Sequence, residues 1–211
     1  MEPETTGVRA GFERIAMPDA DVLFLANLDL GHPGTRLLSE LIAEVPWRAE
    51  EVVIYGRKVP QPRLTAWYGD AGKSYAYSGI ELEPRPWTPL LLAIKSRVET
   101  ATGSSFNSVL LNYYRDNRDS IGFHSDDEPE LGAQPVIASL SLGDDRIFVF
   151  KHKRLKQTEP MRLSLPSGSL LLMRGETQHN WRHGVPKESR PRGARVNLTF
   201  RTIIDRTTIR G

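Results

Sequence analysis

From about residue 106 onward the chain is a succession of short β-prone runs, and this constrains the fold more than any other feature. SVLLNYYR, VIASLSL, IFVF, MRLSL, GSLLLMR and RVNLTFRTII follow one another, separated by Gly, Pro and Asp. Runs rich in branched and aromatic residues and bounded by turn formers read as strands. Six or more at this spacing predict a sandwich, jelly roll or barrel. Two helices come earlier. In residues 34–45 Leu37, Leu38, Leu41, Ile42 and Val45 recur at helical spacing and stop at Pro46. In the second, Thr88 serves as N-cap, Pro89 takes the first helical position, and Gly103 ends it. EVVIYGRKV reads as a hairpin around Tyr55 and Gly56. The expected class is mainly β with flanking helices (α+β). Residues 1–20 read as a loosely attached leader and 21–211 as one domain.

Cysteine is absent, which excludes disulfide scaffolds, thiolate metal sites and cysteine nucleophiles. Any metal has to be held by His, Asp or Glu. No apolar run approaches the ~18 residues of a membrane span, so no membrane partner is expected. The acidic, polar N-terminus does not read as a targeting peptide. The expected location is the cytoplasm, or the nucleus in a eukaryote, and the expected state is a monomer. The formal charge of +2 hides an asymmetry. Residues 1–145 carry 13 Lys+Arg against 22 Asp+Glu, net −9, whereas 146–211 carry 15 against 4, net +11. A basic final third suggests a polyanion-binding face; the competing reading is acidic N-terminal elements packed over it.

His124 and Asp126 stand two apart in GFHSDDE. Residues i and i+2 of an extended segment project to one face, so an imidazole and a carboxylate converge there. A third ligand has to come from a later strand. His183 in WRHGVP is the best placed, with His179 near enough to compete, while His32 and His152 read as surface or turn residues. Two His and one carboxylate make the facial triad that leaves three positions open on Fe(II). In RVNLTFR, alternation puts Arg195, Asn197, Thr199 and Arg201 on one face and Val196, Leu198 and Phe200 on the other. For most strands such a polar face is simply solvated. Here two guanidiniums and an amide in line suit a small dicarboxylate, because Arg grips carboxylates bidentately. Asn112 and Tyr114 share a face in the same way.

The order Asn112-x-Tyr114, His124-x-Asp126, His183-Gly-Val-Pro, then Arg195, Asn197 and Arg201 resembles the AlkB family of Fe(II)/2-oxoglutarate dioxygenases, which repair alkylated bases directly. The resemblance covers about residues 50–204. The strings YGDAGKSYAYSG, HSDDE, FVFKHK and ARVNLTFR bring it nearest the member acting on double-stranded DNA. It implies a double-stranded β-helix (jelly-roll) core over about 106–204, with an N-terminal nucleotide-recognition extension of hairpins over about 50–85. It also implies iron ligands His124, Asp126 and His183, with Arg195 on the distal carboxylate of 2-oxoglutarate beside Tyr114 and Asn197. Arg201 then lies near the 1-carboxylate and Asp126, with Asn112 close by.

The implied activity is oxidative demethylation of bases such as 1-methyladenine or 3-methylcytosine. It couples 2-oxoglutarate decarboxylation and O₂ to formaldehyde release. The implied partner is alkylated DNA, single- or double-stranded, or RNA; a protein or lipid substrate is the alternative for this fold. Tyr75 and Tyr77 match the base pocket, where a ring can stack on a flipped base, against a competing role in edge packing. Asp127 and Glu128 are candidates for contacting the base, or simple loop acids. Tyr55, with Arg57 and Lys58 beside it, matches an aromatic finger filling the gap left by the flipped base. Lys151, Lys153 and Arg182 are candidate phosphate contacts or part of a solvated face.

Overall fold

We analysed a computed structural model of the chain; it describes residues 11–204 except 55, 74, 78 and 79, and gives only the backbone course of 52–54, 75–77 and 80–82. The strands are β1 (Glu13–Ile15), β2 (Asp21–Leu25), β3 (Glu51–Ile54), β4 (Arg57–Pro60), β5 (Leu64–Gly69), β6 (Tyr75–Tyr77) and β7 (Ile80–Leu82), followed by β8 (Ser108–Tyr114), β9 (Ile121–His124), β10 (Ile137–Gly143) and β11 (Arg146–His152). The last four are β12 (Met161–Leu165), β13 (Leu170–Arg174), β14 (Trp181–Val185) and β15 (Arg195–Arg201). Helices α1 (Gly34–Glu44) and α2 (Pro89–Thr102) precede the strand-rich region, and a single helical turn, α3 (Thr177–Asn180), leads into β14.

Two antiparallel sheets face each other. The larger has the order β1-β2-β13-β10-β15-β8-β5 and the smaller β12-β11-β14-β9. The β3–β4 and β6–β7 hairpins stand apart from both. The first matches the turn expected around Gly56; Tyr55 itself lies outside the described residues. Within the span expected as a leader, β1 pairs with β2 and Phe12 and Met17 are buried, so burial extends upstream of residue 21. Helix α2 ends as its sequence dictates. The Thr88 hydroxyl accepts from the Leu91 amide, Pro89 opens the helix, and Gly103 closes it in the left-handed conformation at φ 60°. Among the described residues no helix is long and apolar enough to cross a membrane.

The large sheet is buried on both faces, for different reasons. Val196, Leu198 and Phe200 point into an apolar layer with Leu37 and Leu41 of α1 and Leu91, Ile94 and Val98 of α2. Their alternates Arg195, Asn197 and Thr199 are also buried, on the side facing the small sheet. A second apolar cluster of Phe148, Phe150, Leu171, Met173 and Trp181 fills the rest of the space between the sheets. The polar stripe of β15 is therefore interior, which only a bound polar partner or a full set of hydrogen bonds can stabilise.

One end of the sandwich is tied by a fully buried cation. The Arg146 guanidinium donates to the carbonyls of Asp116, Asp119 and Pro186 and to Glu188 Oε1 at 2.7–3.1 Å. Glu188 also accepts from Arg192 Nε at 2.7 Å and from the Ile147 amide. Burial by itself would raise the Glu188 carboxyl. The hydrogen bonds from Arg192, Ile147 and Arg146 outweigh it, and the group sits below its ordinary 4.5. Because the unfolded chain then binds this proton more readily, the contribution is present above the ordinary value and is lost as pH falls through the folded one. Urea unfolding at a series of pH values is expected to show a shallower loss of stability below about pH 4.5 in Glu188→Gln than in the parent chain; equal slopes would exclude this group as an acid-labile tie.

Candidate active site

The facing strands bring together the residues whose spacing suggested chemistry. β14 pairs with β9, and the register sets His183 directly across from His124. Their rings meet edge to face with centroids 4.5 Å apart. Asp126 stands two residues beyond the end of β9, and its carboxylate lies 3.6 Å from His183 Nε2. One candidate ligand atom from each of the three lies within 4.8 Å of the others, the spacing of a set that could hold a metal ion. His179 is exposed, with its ring nitrogen at the Ala133 carbonyl, so it does not compete. His152, expected at the surface, has its ring edge-on to Trp181 and its Nδ1 accepting the Arg154 and Leu155 amides.

Each donor atom is prepared by its neighbours. His124 Nδ1 lies 2.9 Å from the Gly122 carbonyl. A carbonyl can only accept, so Nδ1 is the donor here and Nε2 is the nitrogen left to serve as a ligand. Burial, reinforced by the adjacent His124, pushes the His183 imidazole down to about 3, so its lone pair is free at neutral pH. Burial alone would raise the Asp126 carboxyl; the Arg201 guanidinium, with His183 and His124, outweighs it and keeps the group below its usual range. Arg201 Nη2 donates to Asp126 Oδ1, and the Asp126 amide donates to Gln178 Oε1 at 3.0 Å. Asp126 Oδ2 is buried and has no hydrogen-bond partner. A paired anion with one oxygen left over beside two imidazoles is a donor set suited to a divalent cation.

A cavity of about 460 Å³ opens from these three residues along the polar stripe of β15. Asn112, Tyr114, Arg195, Asn197 and Arg201 all line it, as the resemblance implied. Arg195 is 1% exposed; its Nη2 donates to Ser141 Oγ, while Nε and Nη1 are buried without partners. Burial pushes its guanidinium down, partly offset by Tyr114, whose ring centroid lies 5.2 Å from Cζ. A buried guanidinium with two idle N–H groups calls for an anion. A carboxylate would meet that need, and Arg195 lines the same cavity as the three candidate metal ligands, so the residues present fit an acidic ligand beside a metal ion. Asn197 differs: its amide donates to Ser139 and Leu140 and accepts from Thr199, so it braces the floor.

The chain matches the model of the 2OG-Fe(II) oxygenase superfamily over residues 33–201. It belongs to that superfamily, in the AlkB family. The rat protein named alpha-ketoglutarate-dependent dioxygenase alkB homolog 3 (Rattus norvegicus) is 47% identical over 175 residues, covering 79% of this chain and 59% of that protein. The mouse DNA oxidative demethylase ALKBH2 (Mus musculus) is 42% identical over 178 residues, covering 80% and 74%. The chain thus spans 59% of the length of the first relative. Both kinds of AlkB protein match at comparable identity. The solved structure of OsALKBH1 superimposes with a TM-score of 0.57 at 19% identity, over 90% of this chain and all of that one, a likeness of fold.

The other expected AlkB residues fall in three places. Glu128 lines the cavity with a buried, unpartnered Oε2, whereas Asp127 pairs with Lys153 Nζ at 2.9 Å. Lys151 and Arg182 are exposed on the outer face of the small sheet, and Arg57 and Lys58 on β4, with Lys58 3.9 Å from Glu51. Tyr75 and Tyr77 belong to β6, but their side chains lie outside the described residues. Two residues had no local signal. Arg63 lines the cavity and donates through Nε to Asn112 Oδ1 at 2.7 Å, and Gln178 holds the Asp126 backbone. Replacing His183 by Ala is expected to abolish Co(II) binding followed by absorption spectroscopy, with His179→Ala unaffected; the reverse pattern would reassign the third ligand.

Proposed function

We propose that this chain is an oxidative demethylase of N-alkylated nucleic-acid bases of the 1-methyladenine and 3-methylcytosine type, dependent on Fe(II), 2-oxoglutarate and O₂. The observation that carries the reading is the pair of idle N–H groups on Arg195, buried in the same cavity as His124, Asp126 and His183. When bound, the iron and its co-substrates supply the oxidation that hydroxylates the N-methyl carbon, after which formaldehyde leaves. His124, Asp126 and His183 would hold the metal, and Arg195 the distal carboxylate of 2-oxoglutarate. Arg201 steadies Asp126 as an anion, and Arg63 fixes the Asn112 amide so that its N–H groups remain for the pocket. The walls exclude water through Trp67, Ile121, Leu131 and Phe148.

The names of the relatives support nucleic acid as the substrate. So does the buried Glu128 oxygen, an acceptor suited to the exocyclic amine of a flipped adenine or cytosine. A base alkylated on its pairing edge is already unpaired and costs less to extrude. In this reading the β3–β4 and β6–β7 hairpins, carrying Tyr55, Tyr75 and Tyr77, handle the nucleotide. The workplace follows the nucleic acid, in the cytoplasm or a nucleus.

Formaldehyde release with Fe(II) and 2-oxoglutarate, compared across methylated single-stranded DNA, duplex DNA and RNA, tests the reading; it is expected from at least one of them, and release from none would overturn it. Arg195→Ala is expected to raise the 2-oxoglutarate concentration for half-maximal turnover by roughly 100-fold or more, as losing a charge-assisted bidentate contact implies, with a much smaller change for the methylated strand. Equal effects on both would remove Arg195 from the co-substrate.

A further inference from the structure

The outer face of the small sheet carries a feature that the chemistry of the cavity does not use. In β9 His124 points inward, so its neighbour Phe123 points outward, and the ring is 39% exposed. Little covers it. Gly122 precedes it, and Gly184 sits in the β-bulge across from it, where the register shifts between His183 and Val185. The approach there is so close that a Cβ on Gly184 would meet the Ile121 carbonyl at 2.9 Å. β9 is also an edge strand, with no further strand beside it. Phe123 reaches the rim of the cavity while belonging to its outside.

The surroundings of the ring are cationic. Lys151 Nζ lies 4.0 Å from its centroid, and Lys151 faces Arg182 across the β11–β14 pairing. Arg162, exposed on β12, is cross-strand to Val149 in the same sheet. Among the described residues Lys151, Arg162 and Arg182 have no carboxylate within ion-pair distance. Some other basic residues of the final third are engaged, Lys153 with Asp127, Arg174 with Asp21, and Arg192 with Glu188 and Asp145. A partly exposed aromatic ring with one ammonium against it and other cations nearby is the pairing that single-stranded nucleic acid selects, with a base against the ring and phosphates on the cations.

Resting on the nucleic-acid reading above, we propose that Phe123, Lys151 and Arg182 form a platform for the single-stranded nucleotides flanking the one held in the cavity. Phe123 stacks a base, and Lys151 and Arg182 take the phosphates on either side of it. Phe123 is also among the residues that line the cavity, which puts the ring at its mouth. A flat, open sheet face suits an unpaired base better than a stacked pair, so the platform favours single strands over duplex.

The test is fluorescence anisotropy of a labelled, unmethylated single-stranded oligonucleotide and its duplex. The full chain is loaded with Fe(II) and 2-oxoglutarate under nitrogen, across a series of salt concentrations. Phe123→Leu, which keeps apolar bulk, is expected to weaken single-strand binding roughly 10-fold without changing the salt slope, and Phe123→Trp to retain it. Lys151→Gln and Arg182→Gln are each expected to flatten the slope of log K against log salt by about 0.7. Parental binding by Phe123→Leu, or an unchanged slope in both Gln variants, overturns the platform. Those results leave the demethylase reading standing if the parent chain releases formaldehyde from a methylated strand. A parent chain that neither binds the oligonucleotide nor releases formaldehyde overturns both.

Discussion

The contact between Arg201 and Asp126 joins the two sheets through opposite charges, and the interior is organised around it. Asp126 follows β9 of the small sheet, and Arg201 ends β15 of the large one. A carboxylate buried there without a cation would take up a proton rather than bear its desolvation cost. With Arg201 beside it the group stays ionised, and one of its oxygens remains unpartnered between two imidazoles. The same guanidinium would disfavour a positive charge on His183, which burial already keeps neutral. The ion pair thus sets the charge of Asp126, while burial sets that of His183.

The alternation of β15 was readable from RVNLTFR, and both of its faces proved to be interior. The apolar face packs under α1 and α2, against Leu37 and Leu41, whose helical spacing marks them for burial, and Leu91 and Ile94. What local pattern could not tell was that the polar face is covered too. An outward-facing strand and one lining a polar cavity have the same period; the facing sheet decides between them, and it lies elsewhere in the chain. The resemblance to the AlkB family resolved that ambiguity, because it assigned a bound dicarboxylate to the arginines.

Other parts were not legible because they depend on pairs remote in sequence. Arg63 and Asn112 are separated by 49 positions, and Gln178 reaches Asp126 across 52. Neither residue type carries a signal of its own. Charge counting had a related limit. The net +11 of residues 146–211 suggested a polyanion-binding face, but a sum does not say which charges are already paired. Lys153 and Lys151 stand two positions apart in one run, yet the first is bonded to Asp127 and the second is free of carboxylates. His152 was read as a surface or turn residue; its Nδ1 accepts the Arg154 and Leu155 amides of the bend that follows, and Trp181 covers its ring.

Gly184 offers no functional group, yet the spacing of two imidazoles passes through it. The close approach of β14 to β9 exists because no side chain stands between them at that point. Any larger residue there would wedge the strands apart and carry His124 away from His183. The candidate metal set is thus open to loss by drift at a position that touches no ligand atom. The empty space at Gly184 is part of the site's geometry, alongside its histidines.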